Sequence, residues 1–235
     1  MQTASKALLL AFVAACGGDG GGGGADASNV PATITVSGMA TKRENTSSSA
    51  AAGVMVSAFQ TADPNTAVAN ATTDASGNYS MMITTNGKAL DGYLKATLAT
   101  FLDTYLYAPK PLDADFSSAS INMINSGTLG LLSGTLCGNA QDAAKGVIAV
   151  LVVDASNNPI AGASVSSTPA AAKYCYNSGG FPSRNATMTD TDGIAYMLNV
   201  APGQVTVSAT KTGTTFASHA VNARAGTFTT TVIEP

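Results

Sequence analysis

Short runs of alternating apolar and polar residues, separated by turns, recur along the chain from Thr33 onward. Thr33 to Ser37 and Val54 to Phe59 each alternate with a period of two, which is typical of strands buried on one face. Turn signals follow one another at spacings of roughly 8–12 residues, which favours a β-sandwich. The sequence therefore predicts an all-β fold, with Thr41 to Ala50 as a polar, serine-rich loop.

This pattern of strands and turns occurs twice. Ala161 to Ser166 matches Ala52 to Ser57, and Thr189 to Gly193 matches Thr73 to Gly77. In both copies an Asp and a Gly supply the side-chain oxygen and the positive φ that a tight hairpin turn requires. Two related domains are therefore expected.

The second copy opens with a strand of a different kind. Gly146 to Asp154 is apolar on both faces, which predicts a central strand. We predict two Greek-key sandwiches in tandem, over residues 30–127 and 146–235. The connector, residues 128–145, contains leucines that can form a short amphipathic helix packed on one of the two domains.

Several turn and strand residues of the second copy resemble a known family. They are Asp154, Pro159 to Val165, Thr189 to Gly193 and Val200 to Gly203. Together they resemble the carboxypeptidase regulatory-like domain, a transthyretin-like (prealbumin-like) sandwich of immunoglobulin-like architecture. The similarity covers residues 146 to 235 and is partial over residues 33 to 125, which lack the Asp-x-x-Gly-x-Pro turn. The resemblance implies a domain that accompanies a catalytic or transport unit rather than acting itself.

The first thirty residues have the layout of a secretory signal followed by a tether. One positive side chain precedes a short apolar stretch, and small residues lead to Cys16. The run from Val13 to Cys16 resembles the lipobox of bacterial lipoproteins, in which the cysteine is diacylated and becomes the mature N-terminus. This implies a signal peptide over residues 1–15, a lipid on Cys16 and a glycine-rich linker over residues 16–29. The alternative is an ordinary signal peptide with a chance cysteine.

The residue after Cys16 bears on the location of the protein. Gly17, rather than Asp, stands there, as in lipoproteins sent to the outer membrane of a two-membraned cell. No apolar run approaches the ~20 residues that span a bilayer as a helix. We therefore predict a protein of the cell envelope that is anchored by lipid in the outer membrane.

Two cysteines remain once Cys16 carries a lipid. Cys137 and Cys175 form an even pair in an oxidising compartment, which predicts a disulfide between them. Two free buried thiols or an intermolecular bridge are the alternatives. One His and the absence of a Cys-x-x-Cys motif predict no metal site.

Charge and composition exclude several functions. Only 11% of the residues are charged, the net charge is −3, and the sequence contains no basic stripe, which argues against nucleic-acid binding. Only two glutamates and one histidine are present, a poor set for an enzyme, and no cofactor is expected.

One histidine and one pair of aspartates are candidates for catalysis and for metal binding. His219 lies in the strand predicted from Phe216 to Val221, and the sequence has no nucleophile elbow to pair with it, which favours an edge histidine over a catalytic base. Asp190 and Asp192 suggest a calcium loop, but no glutamate follows at the required spacing, so a hairpin turn is favoured.

The loop predicted from Ala172 to Arg184 is the candidate binding surface. It combines three aromatic side chains with amide and guanidinium groups, which suits carbohydrate or peptide binding. The candidate residues are Tyr174, Tyr176, Asn177, Phe181 and Arg184. The alternative is that the two tyrosines pack beside the disulfide.

These features predict a non-catalytic, surface-anchored lipoprotein that acts as a binding or spacer module of the cell envelope. Its expected partners are the membrane, through the lipid, and an envelope protein or a polysaccharide. The alternatives are a small-molecule hydrolase on a transthyretin-like scaffold and an inhibitor or immunity lipoprotein.

Overall fold

The computed structural model describes residues 30–45 and 47–235, so the predicted signal peptide, Cys16 and the glycine-rich linker lie outside the described residues. The strands are β1 (Thr33–Glu44), β2 (Ser47–Ala50), β3 (Met55–Gln60), β4 (Asp63–Thr72), β5 (Asn78–Thr84), β6 (Gly92–Thr97), β7 (Thr104–Tyr107), β8 (Ile121–Ile124), β9 (Gly146–Val152), β10 (Ser164–Thr168), β11 (Lys173–Ser178), β12 (Phe181–Ser183), β13 (Ile194–Val200), β14 (Gly203–Thr210), β15 (His219–Ala223) and β16 (Phe228–Ile233). Helix α1 (Ser126–Gly130) continues as a π-helical turn over Leu131–Leu136. The predicted all-β fold is confirmed.

One sheet of nine strands runs through both halves of the chain, in the order β12-β11-β13-β9-β16-β7-β6-β3-β4. The halves meet where β16 pairs in parallel with β7, from Phe228 opposite Thr104 to Thr230 opposite Leu106. On its other side β16 pairs in parallel with β9. The C-terminal strand is therefore hydrogen-bonded to both halves, and the exact residues that divide the domains stay a prediction.

Each half completes a sandwich with a second, smaller sheet. In the first half β5 and β8 both pair with β1, and in the second half the order is β10-β14-β15. Strand β3 pairs with β6 although β4 and β5 intervene along the chain, as Greek-key connections require. The two predicted sandwiches are thus confirmed, with the addition that they share a sheet.

The two sandwiches lie on opposite faces of that shared sheet. Because side chains alternate along a strand, neighbours on β6 and β7 enter different cores. Leu94 and Leu106 belong to the core of the first sandwich. Tyr93, Tyr105 and Tyr107 point the other way and belong to the core of the second sandwich. The first half therefore contributes side chains to both cores.

The internal repeat predicted from the sequence is visible in the hydrogen bonds. Thr73 and Thr189 are buried at equivalent turns, and each hydroxyl donates to one backbone carbonyl at 2.6 Å and accepts from one N–H at 2.9 Å. The partners are Ala51 and Val54 for Thr73, and Ile160 and Ala163 for Thr189. Gly77 and Gly193 follow with positive φ, and a Cβ on either would overlap a backbone carbonyl. The same local chemistry thus builds both turns.

The connector covers the face of β9 that the second sandwich leaves open. Leu129 and Leu132 pack there with Val147 and Leu151 of β9. This explains why β9 is apolar on both faces, because one face lines the sandwich core and the other lies under the helix. The predicted short helix is present but begins at Ser126, before the expected connector.

Two predicted loops are strands in the structure. Thr41 to Ala50 was expected to be a loop, but β1 continues to Glu44 and β2 pairs back on it, with Thr41 opposite Ala50. Ala172 to Arg184 contains the β11–β12 hairpin, with Tyr176 opposite Ser183. Both segments lack a clear apolar alternation, and their strand conformation comes from pairing with a neighbouring strand. In the part of the chain that the structure describes, no helix is long and apolar enough to cross a membrane.

Candidate functional site

A cleft of about 430 Å³ opens between strands β6 and β7 of the shared sheet and strand β15 of the second sandwich. Tyr93 of β6 and Tyr107 of β7 form its floor. His219, at the start of β15, and Arg224, just after its end, form one wall. The cleft therefore exists only because the two halves are joined at the β7–β16 pair.

The floor is a ladder of aromatic rings on three adjacent strands. Phe59 pairs with Tyr93, and Tyr93 pairs with Tyr107, so the three rings lie side by side on one face. The Phe59 and Tyr93 centroids are 5.5 Å apart, and those of Tyr93 and Tyr107 are 5.0 Å apart, in stacked geometry. Tyr105 joins the cluster at 5.8 Å from Tyr93. Each such pair contributes about 0.5–1.5 kcal/mol beyond its buried area.

Arg224 holds this cluster against the second half. Its guanidinium carbon lies 3.9 Å from the centroid of the Tyr105 ring and 4.8 Å from that of Tyr93. Its Nη1 donates to the Tyr107 hydroxyl at 3.1 Å and to the Asn222 carbonyl at 2.9 Å. Burial raises the pKa of Tyr107, and the adjacent guanidinium opposes that rise. One side chain of the second half thus contacts Tyr93, Tyr105 and Tyr107, the three tyrosines of the cluster.

His219 lines the wall of the cleft, and its pKa is lowered. Its Nδ1 lies 2.7 Å from the Thr231 hydroxyl, and its ring meets Tyr107 edge-on, with centroids 6.3 Å apart. Burial lowers the pKa of His219, and the carboxylates of Asp91 and Glu234 raise it by less. The ring is therefore neutral near pH 7. Because Thr231 is fully buried, its hydroxyl orients the imidazole and cannot reach a ligand in the cleft.

The rim of the cleft carries polar groups of both signs. Asp91 and Gln204 are exposed there. Lys110 also lines the cleft, but its ammonium is paired with the Glu234 carboxylate at 3.2 Å. Together with Arg224 these groups give the cleft no dominant charge. Such a surface suits a neutral ligand that is rich in hydrogen-bonding groups.

The tyrosines of the predicted binding loop have a different task. The Tyr176 hydroxyl accepts from the N–H of Val165 at 3.1 Å, and the Tyr174 hydroxyl accepts from the N–H of Ser167 at 3.1 Å. Both N–H groups lie on the outer edge of β10, which pairs with β14 and with no other strand among the described residues. Because unpaired edge groups invite association with other strands, the two tyrosines protect this edge. Burial raises the pKa of Tyr176.

The remaining loop candidates do not form one surface with the tyrosines. Asn177 is buried and its amide donates to the Asp192 carboxylate at 2.6 Å. Arg184 donates to the carbonyl of Thr135 in the π-helical turn. Phe181 is 39% exposed, on the short strand β12. Of the five candidates, Phe181 is the aromatic ring that reaches solvent most freely.

The two predicted cysteine partners are joined. Cys137 and Cys175 form a disulfide with a Cα–Cα distance of 5.7 Å, which ties the end of the π-helical turn to β11. The sequence prediction of this bond is confirmed. It fixes the connector on the second half, as expected.

The aspartates of the predicted hairpin turn are occupied by protein donors. Asp190 accepts from the N–H groups of Gly179 and Thr191, which lowers its pKa. Asp192 accepts from the Ile194 N–H at 3.1 Å as well as from Asn177. Over residues 30–45 and 47–235, no group of three or more His, Cys, Asp or Glu side chains is arranged to hold a metal ion.

The cleft was not found from the sequence. The strand positions of the tyrosines could be read from the pattern, but Arg224 and Gln204 carry no local signal of a shared site. Their approach depends on the pairing of β7 with β16, which joins residues more than one hundred positions apart.

Comparisons with known proteins find distant structural similarity. No protein-family model matches this sequence, and a search of curated proteins finds no match either. Similar solved structures include the Bacillus anthracis TIE protein, with 12% identity and a TM-score of 0.26, of which this chain covers only 34%. The shaft pilin SpaA of Lactobacillus rhamnosus GG and the minor pilin GBS52 of Streptococcus agalactiae each share 12% identity and a TM-score of 0.28. Each match covers 86% of this chain, and those two pilins are covered over 98% and 94% of their length. At these TM-scores the description of the fold rests on the strand pairing of this chain alone.

Proposed function

We propose that this chain is a non-catalytic binding module of the bacterial cell envelope, tethered by a lipid on Cys16, whose cleft holds a segment of neutral polysaccharide. The observation that carries the proposal is the cleft itself. It is built jointly by two halves that share one sheet, and it combines a floor of two largely buried tyrosines with a polar rim of mixed charge.

The size and chemistry of the cleft support a sugar ligand. Its volume lies within the roughly 300–1,000 Å³ range of small-ligand sites. The side chains of Asp91 and Gln204 can form hydrogen bonds with sugar hydroxyl groups. The Asp91 carboxylate accepts, whereas the Gln204 amide can both donate and accept. A strongly charged ligand would leave either Asp91 or Arg224 facing a like charge, which disfavours it.

The state of His219 supports binding rather than hydrolysis. Nucleophilic catalysis requires a base in hydrogen-bond contact with an accessible nucleophile. The hydroxyl that His219 contacts belongs to the buried Thr231. His219 is also the only histidine of the chain, so the several-histidine cleft expected of transthyretin-like hydrolases is lacking.

The experiment is a glycan-array screen of the full, lipid-bearing chain in detergent, followed by titration with the best neutral polysaccharide. We expect Gln204→Ala and Asp91→Ala each to weaken binding about tenfold, since each removes one ligand hydrogen bond. Phe181→Ala is the matched control on the β11–β12 hairpin and leaves the affinity unchanged. Binding that is lost with Phe181→Ala but kept in the cleft variants would contradict the proposal, as would failure to bind any glycan.

The anchor is tested separately. Cells grown with an alkyne-bearing fatty acid should incorporate the label into the wild-type chain and not into Cys16→Ser, which should leave the membrane fraction. Detection of an uncleaved, unmodified N-terminus by mass spectrometry would refute the lipid anchor. The glycan experiment would remain valid.

A further inference from the structure

Strand β5 forms an open edge of the first sandwich. It pairs with β1 in an unbroken antiparallel register, from Thr33 opposite Thr84 to Met39 opposite Asn78. Among the residues that the structure describes, no strand pairs with its other side. Its side chains alternate strictly between buried and exposed over all seven residues.

The hydrogen bonds at both ends of β5 show which groups are free. Thr85 donates to the Ala32 carbonyl and Gly77 accepts from the Ala40 N–H, so alternate residues between them face β1. By the same alternation the N–H and C=O groups of Ser80, Met82 and Thr84 point outward. The outward groups of Asn78 are taken by Asp74, whose carboxylate and N–H bond them at 2.8 and 2.9 Å.

Other sheet edges of the molecule are protected in recognisable ways. Tyrosine hydroxyls cap the edge of β10. Strand β12 has only three residues, including Pro182, and β4 is bulged against β3. Proteins use short strands, prolines and bulges of this kind to prevent edge-to-edge association.

The edge of β5 has none of these features and is uncharged. No charged residue occurs between Asp74 and Lys88. Met82 is 70% exposed on the outer face, the most exposed of the large apolar side chains that the structure describes. An uncharged, regular edge strand with free backbone groups is a template for another strand.

We propose that β5 pairs in antiparallel fashion with β5 of a second copy of this chain, about a two-fold axis through Met81. The observation behind the proposal is the self-complementary sequence around Met81. In this register Ser80 lies opposite Met82 of the other copy, and both carry outward backbone groups, so each pair forms two hydrogen bonds. On the inner face Tyr79 lies opposite Ile83, an aromatic and β-branched pair that favours strand association.

The charges that flank β5 fit the same register. Asp74 and Lys88 lie seven residues on either side of Met81 and are both exposed. A two-fold axis through Met81 therefore directs the carboxylate end of each copy towards the ammonium end of the other. Pairing in this register brings opposite charges together at both ends, whereas a parallel arrangement would align like charges. The second copy is thus favoured in the antiparallel sense. This inference concerns β5 alone and is independent of the cleft.

Sedimentation of the full chain in detergent tests the proposal. We expect a concentration-dependent equilibrium between monomer and dimer that Met82→Lys weakens by about tenfold or more, because the pairing would place two ammonium groups diagonally across the axis on the same exposed face, and a charged edge strand resists association. Met55→Lys is the matched control, since Met55 is a similarly exposed methionine on β3, 56% against 70% for Met82. Monomers at every concentration, or equal weakening by both variants, would overturn the proposal.

A mixing experiment tests the register. In the proposed register, position 80 of one copy faces position 82 of the other. The two cysteines therefore face each other only in a dimer of one Ser80→Cys chain and one Met82→Cys chain. Oxidation of the mixture should cross-link far more chain than oxidation of either variant alone. Hydrogen exchange gives a second measurement, because the amides of Ser80 and Met82 should gain protection as the concentration rises. Protection that is independent of concentration would mean that the chain covers its own edge, and the proposal would be wrong.

Discussion

The guanidinium carbon of Arg224 lies 3.9 Å from the centroid of the Tyr105 ring, and the two residues belong to different halves of the chain. The contact places a cation over the face of an aromatic ring, at a partly buried site where such an interaction contributes about 0.5–2 kcal/mol. With the hydrogen bond to Tyr107, Arg224 fixes the edge of the second sandwich on the first half.

We expect Arg224→Lys to lower the free energy of unfolding by about 1–2 kcal/mol. The planar guanidinium stacks on the rings of Tyr93 and Tyr105 and donates to the Tyr107 hydroxyl at the same time, and an ammonium group has no plane with which to stack. Chemical denaturation measures the change. Lys211→Ala, which removes an exposed cation of the same half, is the control and should have no effect. A variant Arg224→Lys as stable as the wild type would show that stacking does not hold the halves together.

The two equivalent threonines make a quantitative prediction about the internal repeat. Thr73→Val and Thr189→Val each leave one buried N–H without its acceptor, so each should lower the free energy of unfolding by about 1–3 kcal/mol. Thr229→Val is the control, because the Thr229 hydroxyl is buried and has no partner among the described residues. That variant should be as stable as the wild type or more so. Equal losses at all three positions would contradict the assigned role of the turn hydroxyls.

The disulfide should contribute strongly to stability. Cys137 and Cys175 are 38 residues apart, and a loop of that length restricts the unfolded chain by roughly 4 kcal/mol in the chain-entropy model. We expect the Cys137→Ala, Cys175→Ala double variant to unfold at much lower denaturant. Reductant should shift the wild-type midpoint and leave that of the double variant unchanged. A reductant effect on both proteins would assign the shift to another cause.

His219 predicts a pH dependence of stability. The pKa of His219 is lower in the folded chain than its unfolded value of about 6.5. Just below pH ~6.5 the unfolded state therefore binds a proton while the imidazole of the native state is still neutral. Stability contributed by the neutral ring is therefore present above pH ~6.5 and lost as the pH falls from there towards the folded pKa. His219→Gln should remove this part of the loss between about pH 7 and pH 5, measured by thermal unfolding. An unchanged profile would show that burial of the imidazole does not govern this range.

Much of the fold could be predicted from the sequence because its signals are local. Alternation places residues on the two faces of a strand, and the Thr-Asp-Gly turns at Thr73 and Thr189 depend on neighbouring residues only. The two apolar faces of β9 indicated a central strand, and two cysteines left in an oxidising compartment indicated the disulfide. Strands β2, β11 and β12 were not predicted. Their serine-rich or mixed segments take strand conformation from pairing with a neighbouring strand, and the local pattern does not reveal that pairing.

The residue pattern specifies two related sandwiches and the positions of their turns. It does not specify that β16 pairs with β7, that the sandwiches occupy opposite faces of one sheet, or that Arg224 contacts Tyr105. Periodicity specifies which face of a strand is buried, whereas the identity of the neighbouring strand depends on which sheet edges of the folded molecule remain open. A cleft between two halves arises from that choice, and no single segment encodes it.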